Sequence, residues 1–158
     1  MPSWATAAMS TRLSEEAREV ALAEAQAVLA LVHDKRRRER LAELVADVNE
    51  GHVSDSNADA LEEILELGLQ TGRLRALYGP GGEQAALLAF RRLPRGAELA
   101  ASAREVTEAL RALEGRRIDS VSVANAGPGA FVLSLATEGL ELSVRVDRQG
   151  ARLHSVGI

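Results

Sequence analysis

The stretch "LYGPGGEQ", Leu77 to Gln84, carries residue types that can hold phosphate. Glycines in a turn ahead of a helix leave backbone N–H groups free, and the helix dipole attracts an anion to them. The spacing does not complete that chemistry. A phosphate loop needs Lys followed by Ser or Thr after its last glycine, whereas Gly82 is followed by Glu83 and Gln84. Residues 73 to 78 continue a helical pattern, so the strand that a dinucleotide fingerprint requires is missing as well. Glu83 already supplies the negative charge that such a helix start favours. The stretch therefore reads as punctuation: Gly79 and Pro80 stop one helix, and Gly81 and Gly82 turn the chain into the next.

The remaining reactive side chains are as sparse. His33, His52 and His154 stand apart, none in an H-x-x-H or HExxH pattern, and the chain has no cysteine to join them. This spacing predicts no metal and no thiolate chemistry. Asp59, Glu62, Glu63 and Glu66 fall at helical spacing, but a di-metal bundle would need Glu-x-x-His motifs beside them. Solubility of a helix surface is the better reading. No serine lies in a G-x-S-x-G elbow. Tyr78, next to the Gly79 turn, reads as a ring packed over a helix end with its hydroxyl at the surface. No catalytic residue and no cofactor is expected.

"DKRRRER", residues 34 to 40, is the densest basic cluster. Asp34 with Arg38 and Lys35 with Glu39 are spaced for local ion pairs on a helix. Arg36, Arg37, Arg38 and Arg40 are the candidates for docking an acidic protein partner. With 158 residues, a net charge of −4 and a pI near 5.5, the chain as a whole is not drawn to DNA or to anionic membranes. Nucleic acid is not an expected partner. The most apolar run, Val20 to Val32, is broken by Glu24 and Gln26 and is too short to span a bilayer. The start of the chain lacks a signal-peptide pattern, so a cytoplasmic location is expected.

The elements that would position these groups follow from periodicity. Residues 1 to 13 read as a flexible tail whose only tryptophan, Trp4, is a candidate anchor into a neighbouring subunit. Ser14 with Glu15 and Glu16 starts a helix. No glycine or proline follows until Gly51, so a single helix there would be about 50 Å long, and a break near His33 to Lys35 is the alternative. Leu22, Ala25, Leu29 and Val32 form one stripe; Val20, Ala27, Val28 and Leu31 widen it. A helix apolar beyond one stripe needs cover on more than one side, and a partner chain is the cover expected. Val20, Leu22, Ala25, Val28, Leu29 and Val32 are thus the interface candidates.

A second helix is expected from Ser54–Ser56 to Tyr78, with Asp59 placed for a capping box on Ser56. Short helices follow from Glu83 to Leu93 and from Ala97 to Glu114, parted by Pro94. Beyond Gly115 the period becomes two. "IDSVSVAN", "AFVLSLAT", "LELSVRVD" and "ARLHSVGI" are separated by turn residues, which predicts a four-stranded antiparallel meander. Leu140, Leu142, Val144 and Val146 face inward on the third strand. The fourth stays in phase only with a bulge, because Leu153 and Val156 are three apart, and it is a candidate edge.

The fold class expected is α+β. Residues 14–78 form a helical interaction region, and residues 79–158 a helix packed on the meander. With aromatics at 3% and apolar residues at 46%, much of it alanine, helix packing is favoured over an aromatic-lined pocket. The function expected is a non-enzymatic scaffold or accessory subunit, one that forms a homo-oligomer through its N-terminal helices. It would dock onto a larger protein, such as a multi-subunit metabolic or redox enzyme. The alternative is a binder of a small apolar or lipid-like ligand, held between sheet and helix.

Overall fold

A computed structural model describes residues 9–158. The fold is α+β, with five helices preceding a four-stranded antiparallel sheet among the described residues. The chain divides into two compact units, one ending at Ala97 and the other spanning Glu98–Ile158. The boundary therefore lies beyond the Gly79 turn where the sequence suggested it, and residues 79 to 97 belong with the helices.

In the first unit, α1 (Glu15–Leu31) opens as expected: the Ser14 hydroxyl accepts the Ala17 N–H at 3.2 Å. The chain breaks at Val32 to Asp34, and α2 (Lys35–Asn49) begins with the Asp34 carboxylate accepting the Arg37 N–H at 2.8 Å. That carboxylate caps α2 instead of pairing with Arg38. The presumed tail is partly ordered. Ser10–Arg12 forms β1, paired antiparallel with β2 (His52–Ser54) through Ser10 opposite Ser54 and Arg12 opposite His52. Three residues are too few to show a period, so sequence pattern passes over both strands.

The second expected helix is two. α3 (Asp55–Gln70) ends at Thr71, and Gly72, at φ 71°, turns the chain into α4 (Arg73–Phe90). Ser54, not Ser56, stands at the N-cap of α3, and its hydroxyl donates to Asp47 and accepts no helix N–H. α4 is itself kinked at Gly79 (φ 70°, ψ −179°), the stop expected there; the helix resumes at Pro80, so Gly81 and Gly82 belong to it and do not form the turn the sequence suggested. Leu44, Val48, Val53, Leu61, Leu65, Leu74 and Leu93 are fully buried and form the core of this unit. Gly68 owes its size to that core. A Cβ on it would lie 2.7 Å from Leu74 Cγ, in a chain position already packed. Gly68→Ala should therefore destabilise by about 1 kcal/mol, overpacking outweighing the helix propensity gained, as read from urea unfolding midpoints.

α5 (Pro94–Leu110) begins in the first unit and from Glu98 belongs to the second, where it leads through a 3₁₀ turn (Arg111–Leu113) into β3 (Ile118–Gly127), β4 (Ala130–Thr137), β5 (Leu140–Asp147) and β6 (Gly150–Gly157). The strands lie in sequence order, a meander. Register places Val121, Leu135 and Leu142 side by side, and Val123, Leu133 and Val144 likewise, so one face is apolar. On α5, Val106 packs with Leu142 and Val144, flanked by Ala109, Leu110 and Ala151. The Ser102 hydroxyl donates to the Ala151 carbonyl. Val146, read as inward, is exposed at the end of β5. The expected bulge is present: Ser143 pairs with Ser155 and Val144 with Leu153, so His154 is the extra residue. It returns Leu153 and Val156 to one face.

Candidate functional site

Helix α1 is largely covered by its own chain. Val20 and Ala25 are buried among α1's neighbours, while Leu22, Val28, Leu29 and Val32 are only half-buried. For Val20 and Ala25 the covering that the sequence assigned to a partner is thus supplied from within. Toward the C-terminal end of α1 the cover stops. There α1 and α3 enclose an apolar groove of about 610 Å³, lined by Ala27, Val28, Leu31, Ile64, Leu67 and Gly68. Leu31 is 77% exposed and Leu67 63% exposed, on facing helices. Helical spacing explains both: each continues its helix's apolar stripe one turn beyond the point where the neighbouring helices stop covering it.

The rim of the groove is charged. At one end Arg37 approaches Glu63 at 4.0 Å, with both side chains mostly in solvent, so the pair is a weak one. Arg37 and Arg40 also line a smaller adjoining pocket of about 200 Å³, which shares Val28, Glu63 and Ile64 with the groove. The basic cluster and the apolar stripe, far apart in character, therefore meet in space through Arg37. Arg36, Arg38 and Arg40 are exposed along the same first turns of α2. Trp4 lies outside the described residues.

The other end is closed by a buried carboxylate. Glu24, at 4% exposure, accepts the Tyr78 hydroxyl at 2.8 Å and the Arg73 Nε–H at 3.0 Å. These bonds fasten α1 to the start of α4. Burial, reinforced by the bond to Glu24, pushes the Tyr78 hydroxyl up to about 12. A phenol held protonated in this way donates and cannot serve as a base near neutral pH. Its hydroxyl is turned inward, not outward as its position beside a glycine turn suggested. Glu24 escaped notice because it looked like an interruption. A lone acid within a long apolar run was the available signal, since a carboxylate there must find a partner or not be buried.

Glu62 shows the same demand in another place. Its carboxylate accepts the Arg95 N–H at 2.8 Å, at the first turn of α5, and Arg95 bridges to Glu66 at 3.0 Å. Burial raises the Glu62 carboxyl above its ordinary value. The folded form therefore holds its proton to higher pH than the unfolded form, and stability falls as pH rises through that interval. Glu62→Gln keeps an acceptor for Arg95 and removes this charge cost. We expect it to be neutral or slightly stabilising at pH 7, measured by thermal unfolding. The acidic row of α3 is thus partly structural rather than a solvated surface.

The three histidines do not converge: His33 lies in the α1–α2 link, His154 in the β6 bulge, and His52 sits 3.9 Å from both Asp47 and Glu50. Among the described residues no group of three or more metal-capable side chains comes together, and no buried side-chain polar atom lacks a partner. Among the described residues no helix is long and apolar enough to cross a membrane. No family model, curated protein or solved structure matches this chain.

Proposed function

We propose that the chain is a non-enzymatic accessory or scaffold protein of the cytoplasm, whose helical unit seats an amphipathic helix of a larger partner in the α1–α3 groove. The observation that carries this reading is the facing pair Leu31 and Leu67, apolar and exposed across one groove. Side chains of this size left in water on two adjacent helices mark a binding face. At the groove itself Arg37 and Arg73 are balanced by Glu63 and Glu24, so the preference for a helix with acidic residues beside its apolar stripe rests on the exposed Arg36, Arg38 and Arg40 next to it on α2. A multi-subunit metabolic or redox enzyme would be one such partner.

The test is a paired capture experiment from the native cell with wild type and with Leu31→Glu/Leu67→Glu. Both positions are exposed, so stability should stay within about 0.5 kcal/mol of wild type. Partner binding should fall at least about tenfold, the loss of roughly 1.4 kcal/mol. Equal capture by a folded double variant would sink the proposal. Arg37→Glu should act differently, slowing association in a way that added salt abolishes. A second reading, a small apolar ligand, is favoured by the size of the groove, which falls within the range of ligand sites. Native mass spectrometry of protein from its source separates the two, because a ligand adds a small mass and a partner a large one.

A further inference from the structure

We infer that two copies of this chain join through β3, edge to edge across a two-fold axis at Ser122, to make one continuous eight-stranded sheet. This interface is separate from the groove and rests on different residues.

The two edges of the sheet are unlike. β6 is interrupted in mid-strand by its His154 bulge and carries Arg152 on the polar face. Bulges and charges are what natural sheets use to keep an edge unpaired. β3 is the longest strand, and Ile118 to Ala126 are all exposed. From Ser120 to Gly127 it reads "SVSVANAG", without a charge or a proline. Its pairing with β4 is regular from Ser120 to Asn125, between irregularities on either side. A regular, uncharged edge with its backbone groups open is a template for another strand.

The strand's own sequence says which strand fits. Antiparallel pairing through Ser122 sets Ser122 against its equivalent, Val121 against Val123, and Ser120 against Ala124. Valine meets valine on one face, and no charge opposes a like charge within the regular stretch, as an isologous contact requires. Asp119, the nearest charge, lies at the irregularity outside it. The rest of the sheet agrees with this register. Ser122, Ser134, Ser143 and Ser155 are successive partners across all four strands, and the Ser134 and Ser143 hydroxyls are 2.9 Å apart. The row stops at β3; the pairing continues it into the second copy. On the opposite face Val121 and Val123, 60% and 65% exposed, gain the partner's Val123 and Val121 as lateral neighbours.

The experiment uses the full chain. Light scattering across micromolar concentrations should give a dimer for wild type and for Ser155→Lys at the far edge. Ser122→Lys, which sets two ammonium groups against each other at the axis, should give a monomer with unchanged circular dichroism. Because the chain has no cysteine, Ser122→Cys introduces a single thiol. Opposed residues in an antiparallel pair have Cα atoms about 4.5–5.5 Å apart, within disulfide range. Mild oxidation should therefore link most Ser122→Cys chains into covalent dimers, while Ser155→Cys links few. A monomeric wild type, a dimeric Ser122→Lys, or equal linking of the two cysteine variants would each overturn the inference. Leu31→Glu/Leu67→Glu should leave this dimer intact, so failure of the groove and failure of the edge are read separately.

Discussion

Gly96→Ala should destabilise the helical unit by about 3 kcal/mol, enough to lower its unfolding midpoint by roughly 12–24 °C. The reason is space, since Gly96 does not lie in the left-handed region that favours glycine. A Cβ built there runs into the carbonyl group of Phe90, with the carbonyl carbon at 2.5 Å. That carbonyl cannot simply move aside. It accepts the Leu93 N–H at 3.1 Å, and the Ala97 N–H bonds to Leu93 at 2.8 Å, so one tight turn connects α4 to α5. Phe90 and Leu93 are both buried. Shifting the backbone would pull these side chains out of the core they help to fill. Gly81→Ala is the matched control: an added Cβ there meets nothing within 4 Å, and its backbone suits any residue. It should be neutral or gain up to about 1 kcal/mol. Similar unfolding midpoints for the two variants would show that the Arg91–Gly96 turn is less constrained than its geometry implies.

These two glycines also show what sequence could and could not reveal. Gly79 and Pro80 were read correctly as punctuation, but Gly81, read as part of the turn, lies in the helix that resumes at Pro80. Pro94 marks the break beside Gly96 but not its crowding, because the group that excludes a side chain is a carbonyl six residues earlier, brought close only by the fold. The strands and order of the meander were legible, though Val146 was read as inward and is exposed, and the irregularities at the two ends of β3 were not foreseen. Alternation with period two survives in each strand, and even the His154 bulge followed from the three-residue spacing of Leu153 and Val156. The break at Val32 to Asp34 was open to either reading, since no glycine or proline marks it and the cap is a single aspartate. The interval between α3 and α4 was misplaced at Gly79 because the gap from Gln70 to Arg73, with a lone glycine and no proline, is short enough to pass for the polar face of one helix. The groove was half visible: its stripe on α1 and its arginines on α2 were both singled out. That they meet, and that Glu24 with Arg73 and Tyr78 closes the end, depends on pairings about fifty positions apart, which periodicity does not encode.

Asp47→Ala should be nearly as costly as Gly96→Ala, about 3 kcal/mol at neutral pH. One oxygen of this carboxylate accepts three bonds: the Ser54 N–H at 2.9 Å, the Ser54 hydroxyl at 2.6 Å and the Asn57 amide at 2.8 Å. It thereby joins the end of α2 to β2 and to the first turn of α3, where no side chain of α3's own cap makes the bond. Hydrogen bonds to a charged acceptor contribute about 1.5–3 kcal/mol each, less when they share one atom. Removal also leaves the buried Asn57 amide without a partner. The loss must depend on pH. Burial acts to raise the Asp47 carboxyl, but the bonds from Ser54 and Asn57 and the nearby His52 outweigh it, and the carboxyl titrates below its ordinary value of 3.8. A carboxylate depressed in the folded state adds stability above the unfolded value, and that addition is lost as pH falls through the folded one. Wild type should therefore exceed Asp47→Asn in urea midpoint at pH 7, where the amide recovers only part of the network. The gap should close as pH drops from about 4 toward about 2, where both groups are neutral. A gap that stayed constant over that interval would mean that the shape of the side chain, and not its charge, holds β2 against α2.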